Sequence, residues 1–96
     1  MKANIEVLSG PTDGETFSFK SSFDIGRDKT SNISLPMDRY ISRRHARVLL
    51  AEPECFLEDL ASTNGTFVNN ARVHGRIILN NGQIFRVGRT WLQIEW

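Results

Sequence analysis

Residues 41–47 read Ile-Ser-Arg-Arg-His-Ala-Arg and lie where a polar loop gives way to an apolar strand pattern. Two other polar segments occupy similar places beside apolar runs. They are residues 24–27, Asp-Ile-Gly-Arg, and residues 59–69, Asp-Leu-Ala-Ser-Thr-Asn-Gly-Thr-Phe-Val-Asn. The three segments together supply guanidinium, hydroxyl and amide groups. Such groups are suited to holding a phosphate and the peptide that carries it.

Short stretches of alternating apolar and polar residues recur along the rest of the chain. The alternation covers residues 5–7, 17–19, 23–25, 33–35, 46–50, 84–87 and 91–96. Residues 55–60, 66–68 and 77–79 are short, largely apolar runs without a clear alternation. Alternation with a period of two indicates strands, and the glycine, proline and asparagine residues between them indicate turns. Asn69-Asn70 has turn chemistry, and Asn64-Gly65 alone is a two-residue hairpin signal. No helical window, linker or repeat stands out. We therefore expect an all-β fold, a β-sandwich of two largely antiparallel sheets forming a single domain over residues 1–96.

The composition narrows the class of protein. The chain has 96 residues, of which 40% are hydrophobic and 24% charged, with a net charge of +1. These values are ordinary for a globular domain and give no overall field that would attract nucleic acid. The single cysteine, Cys55, excludes an internal disulfide. No apolar run reaches the ~20 residues of a membrane span, and residues 1–4 do not resemble a signal peptide. We expect an intracellular, cytoplasmic location, or the nucleus in a eukaryote, and no membrane partner.

The order of the three polar segments carries more information than any one of them. Gly26-Arg27, then Ser42-Arg43-Arg44-His45, then Ser62-Thr63-Asn64-Gly65, resembles the forkhead-associated (FHA) domain, which reads phosphothreonine peptides. The resemblance extends from the first strand to Trp96. It implies two packed sheets with the peptide-binding loops at one end. It also implies a partner protein that carries phosphothreonine made by a Ser/Thr kinase.

The resemblance also implies a role for each residue at the matching positions. The expected phosphate contacts are Arg27, Ser42, Arg43 and Thr63, and Asn64 is expected to bind the peptide backbone. The residues expected to brace the loops are Gly26, His45 and Gly65. The chain departs from the family pattern at Asn70, where glycine is common, and at Gln83, where an acidic residue is common.

Several other functions are less well supported by the residues. Ser42 with His45 could suggest hydrolysis, but a strained nucleophile elbow and an acidic orienting residue are missing. His45, Cys55 and His74 could suggest zinc, but they lack paired ligand spacing. The arginines at 39, 43, 44 and 47 could suggest nucleic acid, but no aromatic platform accompanies them. We therefore expect no enzyme activity, cofactor, metal or nucleic-acid partner.

One alternative from a different class stays open. The same sandwich could make constitutive protein contacts that do not depend on phosphate, with its arginines incidental. We expect instead a phosphothreonine-dependent protein-interaction module that belongs to a larger protein or complex.

Overall fold

The computed structural model describes residues 1–96 and contains eleven strands in two sheets. The strands are β1 Ala3–Val7, β2 Thr16–Phe19, β3 Phe23–Gly26, β4 Ile33–Ser34, β5 Ala46–Ala51, β6 Glu54–Asp59, β7 Thr66–Val68, β8 Ala71–Arg72, β9 Arg76–Ile78, β10 Ile84–Val87 and β11 Thr90–Glu95. The six-stranded sheet has the order β2-β1-β11-β10-β7-β8, and the five-stranded sheet has the order β4-β3-β5-β6-β9. All pairings are antiparallel except β3 with β4. The predicted β-sandwich is confirmed.

The alternating residues produce the core between the two sheets. In β1, Ala3, Ile5 and Val7 are buried, while Asn4 and Glu6 face solvent. The same alternation in other strands, together with the loop residues Leu35, Ile41, Val73 and Leu79, builds a single cluster of 18 buried residues. Burying the apolar face of each strand in this way is the main source of stability for such a fold. The core therefore forms a rigid base for the loops at either end.

Both ends of the described chain are held in the six-stranded sheet. The first and last strands, β1 and β11, pair along their length, from Asn4 opposite Glu95 to Val7 opposite Leu92. No helix of the structure has the length and apolar character required to cross a membrane.

The one strand that the sequence pattern missed is β8, Ala71–Arg72. Both of its residues are exposed, so it carries no alternation. It pairs with β7 through a two-residue turn at Asn69 and Asn70, whose φ angles are 51° and 63°. Left-handed φ values at both positions are required by a type I′ hairpin turn, and asparagine tolerates them. Asn64-Gly65, which alone carries a hairpin signal, forms part of an irregular loop and not a hairpin turn.

Four connections bring the candidate residues to one end of the sandwich. They are the β3–β4 loop, the β4–β5 loop, the β6–β7 loop and the short β10–β11 turn. Their mutual hydrogen bonds, described below, show that the loops contact one another directly.

Candidate functional site

The end of β3 is joined to the β4–β5 loop by backbone hydrogen bonds. The Arg27 amide donates to the Ser42 carbonyl at 3.0 Å, and the Asp28 amide donates to the Arg43 carbonyl at 3.3 Å. Gly26 makes this approach possible. A Cβ at Gly26 would overlap the Arg43 carbonyl oxygen and lie 2.6 Å from the Ser31 Oγ. Only glycine fits where two backbone segments come this close.

Arg27 and Arg43 line one open cleft on the loop end of the molecule. The cleft has a volume of about 340 Å³, and its other lining residues are Asp28 and Pro36. Both arginines are exposed, so their guanidinium groups are available to a ligand. Arginine presents its donors in a planar fork that matches phosphate oxygens. Two such groups on one cleft make it suited to a dianion.

Asp28 adds a negative charge to this basic cleft. Its Oδ1 accepts hydrogen bonds from the Thr30 amide and the Thr30 hydroxyl, each at 3.0 Å. These bonds hold the pKa of Asp28 below its usual value, so the carboxylate stays ionised at neutral pH. Its charge opposes an incoming phosphate.

His45 is completely buried and connects two of the loops. Its Nδ1 accepts a hydrogen bond from the Ser42 amide at 3.0 Å. The proton must therefore be on Nε2, which lies 2.8 Å from the Gly65 carbonyl and donates to it. Burial lowers the pKa of His45 and outweighs the opposing effects of the Gly65 carbonyl and of Asp59. The ring is thus a neutral brace with both nitrogens occupied.

Ser42 is held from a second side as well. Its Oγ accepts a hydrogen bond from the Thr63 amide at 3.1 Å. A hydroxyl that accepts from a backbone N–H still has its own proton to donate. Ser42 therefore has a free donor, and that donor is on the same loop as Arg43.

The β6–β7 loop is stabilised by hydrogen bonds around Asp59. Its Oδ1 accepts from the hydroxyls of Ser62 at 2.5 Å and Thr66 at 2.7 Å. Burial raises the pKa of Asp59, but these hydrogen bonds together lower it further than burial raises it. The Ser62 Oγ also accepts from the Gly65 amide at 3.0 Å. Gly65 has a φ of 91°, which suits glycine at this turn.

Asn64 links the β6–β7 loop to the β4–β5 loop. Its Nδ2 donates to the Tyr40 carbonyl at 3.0 Å, and no hydrogen bond engages its Oδ1. The Arg89 guanidinium carbon lies 4.0 Å from the centre of the Tyr40 ring, a cation–π contact. Asp38 accepts from the Tyr40 amide at 2.9 Å and from the Arg89 amide at 2.8 Å. These contacts fix the loop just before Ser42.

The structure thus brings all the predicted site residues to one end of the sandwich. Arg27 and Arg43 share the cleft, and Ser42, Thr63 and Asn64 are joined by the loop contacts given above. Sequence reasoning missed Asp28 and Asp38. The signal for Asp38 would have been an Asp two residues before Tyr40, the spacing of an Asx turn.

Cys55 and His74, which were considered with His45 for zinc, do not form a cluster with it. Cys55 is completely buried, and burial raises the pKa of its thiol to about 11. His74 and Arg72 line a second cleft of about 500 Å³, together with Asp59 and the β6–β7 loop residues Ala61 and Ser62. The structure brings together no group of three or more His, Cys, Asp or Glu side chains able to hold a metal.

Comparisons with known proteins agree with this architecture. The family model described as "FHA domain" matches residues 23–88. The protein FhaB of Mycobacterium tuberculosis is 39% identical over 71 residues, which cover 74% of this chain and 45% of FhaB. This chain therefore spans a little under half the length of that relative.

Solved structures match over nearly the whole fold. One, described as an analysis of phosphothreonine-dependent FHA domain interactions, has a TM-score of 0.87 and 32% identity, covering 100% of this chain and 97% of the other. The FhaA FHA domain, solved in complex with the intracellular domain of Rv3910, has a TM-score of 0.84 and 33% identity, covering 97% of this chain and 99% of the other.

Proposed function

This chain belongs to the FHA domain family, and we propose that it is a non-catalytic module that binds phosphothreonine-containing segments of other proteins. The observation that carries this proposal is the cleft shared by Arg27 and Arg43, beside a serine whose hydroxyl proton is free. A solved structure that is 32% identical to this chain supports the proposal, because it is described as an analysis of phosphothreonine-dependent FHA domain interactions.

In this proposal the phosphate occupies the cleft. Arg27 donates a pair of hydrogen bonds to two phosphate oxygens, and the Ser42 hydroxyl donates to another. Arg43, which lines the same cleft, adds a second positive charge. Thr63, whose amide donates to the Ser42 Oγ, is proposed to contact the phosphate as well.

Asn64 is proposed to hold the main chain of the peptide next to the phosphothreonine. Its Oδ1 is free to accept a peptide N–H, while its Nδ2 donates to Tyr40. One Nδ2 proton remains for a peptide carbonyl, because an amide nitrogen carries two. The side chain can therefore bind a peptide without giving up its contact with the loop.

A catalytic role has little support in the geometry. His45 has no free nitrogen to act as a base, because one accepts from Ser42 and the other donates to Gly65. Cys55 is buried, with a thiol pKa of about 11. Acid–base catalysis needs a titratable group that can reach the substrate, and neither residue meets this condition.

The affinity is expected to be moderate. A short peptide buries much less than a standard protein interface, so we expect a micromolar Kd, about −8 kcal/mol. A module of this kind gains strength when it is tethered within a larger protein. We propose that this domain acts inside the cell as part of such an assembly, downstream of a Ser/Thr kinase.

The test compares four peptides of one sequence by isothermal titration. One carries phosphothreonine, one phosphoserine, one glutamate and one unmodified threonine at the central position. We expect the affinity to decrease in that order, with almost no binding of the glutamate and unmodified peptides. The reason is that phosphate carries about −1.5 to −2 charges and three acceptor oxygens. A buried methyl group is worth ~0.8 kcal/mol, which favours phosphothreonine over phosphoserine. A degenerate peptide library supplies the starting sequence.

Two further measurements separate this function from a constitutive, phosphate-independent one. Arg43→Ala should weaken phosphopeptide binding, whereas Arg44→Ala, its exposed neighbour, should change it much less. Affinity should also fall as the pH drops through about 6, where the phosphate gains a proton. Equal binding of the phosphorylated and unmodified peptides would favour the constitutive alternative.

A further inference from the structure

The strand β9 forms a free edge of the five-stranded sheet. It pairs with β6 on one side only, because it is the last strand in the sheet order. Backbone hydrogen bonds join β9 to β6 at both ends of β9. The Asp59 amide donates to the Gly75 carbonyl at 3.0 Å, and the Leu79 amide donates to the Cys55 carbonyl at 2.8 Å. Since backbone groups alternate in direction along a strand, those of Arg76 and Ile78 face away from β6.

The outer face of this sheet carries two rows of side chains that end at β9. In the first row the charges alternate from strand to strand: Asp24, Arg47, Glu58 and Arg76 are Cα partners in succession. The second row is apolar and consists of Leu49, Phe56 and Ile78. Ile78 is 56% exposed, the largest exposure of any isoleucine in the chain. Both rows stop without a neighbour beyond β9.

We propose that the β9 edge is a second docking site, which binds an extended segment of a partner protein by strand addition. The segment carries an apolar residue and an acidic residue two positions apart. Its backbone pairs with the free groups of Arg76 and Ile78, its acidic side chain lies opposite Arg76, and its apolar side chain lies opposite Ile78. This site is separate from the proposed phosphate cleft.

The partner strand's chemistry is indicated by the strand that already pairs with β9. In β6, Phe56 lies opposite Ile78 and Glu58 lies opposite Arg76. The free side of β9 presents the same two side chains on the same face of the sheet. An incoming strand with the pattern of Phe56-Leu57-Glu58 would therefore continue both rows.

The other edges of the two sheets are less suited to strand addition. The edge strands β4 and β8 have two residues each, and β4 is followed closely by Pro36. Short strands and proline are common means of blocking an edge. On the edge strand β2 the solvent-facing residues are Thr16 and Ser18, which offer no apolar contact.

The probe for the test is a capped synthetic peptide with the sequence of residues 54–59, in which Cys55 is replaced by valine to prevent oxidation. It is titrated to millimolar concentration into the ¹⁵N-labelled domain. We expect chemical-shift changes at residues 76–78 and about tenfold slower hydrogen exchange at the Arg76 and Ile78 amides. The absence of any change at β9 would overturn the proposal.

Paired variants make the result specific. Ile78→Lys should abolish binding, whereas Ile84→Lys should preserve it, because Ile84 is an exposed isoleucine on the other sheet. Arg76→Glu should weaken binding about tenfold, and a peptide with lysine at the position of Glu58 should restore it. Circular dichroism confirms that the variants are folded. Binding that survives Ile78→Lys, or a charge reversal without rescue, would contradict the proposal.

Two controls test whether a second copy of the chain occupies the β9 edge and whether that edge is independent of the phosphate cleft. Sedimentation velocity detects self-association, and a dimer lost in Ile78→Lys would assign the edge to a second copy and overturn the partner-strand assignment. Arg27→Ala should leave the peptide titration at β9 unchanged. Arg27→Ala therefore tests phosphopeptide binding, and Ile78→Lys tests strand addition, so that the failure of one proposal is distinguishable from the failure of the other.

Discussion

Replacing His45 by alanine should lower both the stability of the domain and its affinity for phosphopeptide. The substitution leaves the Ser42 amide and the Gly65 carbonyl without their partners at 3.0 and 2.8 Å. A buried group that loses its partner costs ~1–3 kcal/mol, so the two together cost about 2–6 kcal/mol. For a domain of this size 1 kcal/mol corresponds to about 4–8 °C, so Tm should fall by at least about 8 °C.

The assay is thermal and urea unfolding, followed by phosphopeptide titration at a temperature where the variant stays folded. Affinity should fall as well, because Ser42 and the β6–β7 loop lose the ring that joins them. His74→Ala is the matched control, since His74 is exposed and makes no hydrogen bond through its side chain. If His45→Ala melts like the parent domain, the bracing role assigned to His45 is wrong.

Three further predictions concern charge and the phosphate contacts. Arg27→Ala and Ser42→Ala should each weaken phosphopeptide binding about tenfold or more, with the larger loss at Arg27, because a hydrogen bond to a charged group is worth ~1.5–3 kcal/mol. Arg27→Ala should leave Tm unchanged, and Ser42→Ala should lower it only slightly, because the bond that it removes from the Thr63 amide is exposed to water. Titration and melting curves check this. Asp28→Asn should strengthen binding by roughly two- to fivefold at low salt and less at high salt, because it removes a negative charge from the cleft while keeping the acceptor for Thr30. The pKa of His45 lies below its usual 6.5, so the stability that the neutral ring contributes should be complete above pH 6.5 and should decline as the pH falls below that value. Urea unfolding between pH 8 and pH 5 measures this: the midpoint should fall with pH in the parent domain and fall less in His45→Ala.

Sequence reasoning found the features that have a local signature, and it found the site residues through the order of the three polar segments. Alternating residues defined most of the strands, since each strand buries one face. Gly26-Arg27 was recognised from its order with residues 42–45 and 62–65, and the structure adds that glycine is needed there because the Arg43 carbonyl comes so close. The turn at Asn69 and Asn70 was also predicted from residue chemistry.

The features that sequence reasoning missed depend on contacts between residues that are distant in the sequence. Asp38 accepts a hydrogen bond from the Arg89 amide, 51 positions further along the chain, and nothing near Asp38 indicates this. The strand β8 was missed because both of its residues are exposed and form no alternating pattern. The hairpin signal at Asn64-Gly65 was overridden, because Asn64 bonds to Tyr40 and Gly65 bonds to Ser62 and His45.

The loops of the site are already joined to one another without a peptide. Ser42 accepts from Thr63, His45 links Ser42 to Gly65, and Asn64 donates to Tyr40. Ordering a flexible loop consumes part of the binding free energy, and a loop that is fixed beforehand avoids that cost. Almost all of the free energy of the few contacts that a short phosphopeptide makes then contributes to its affinity. This is why a brace with no contact to the ligand, such as His45, should matter to binding nearly as much as the groups that touch the phosphate.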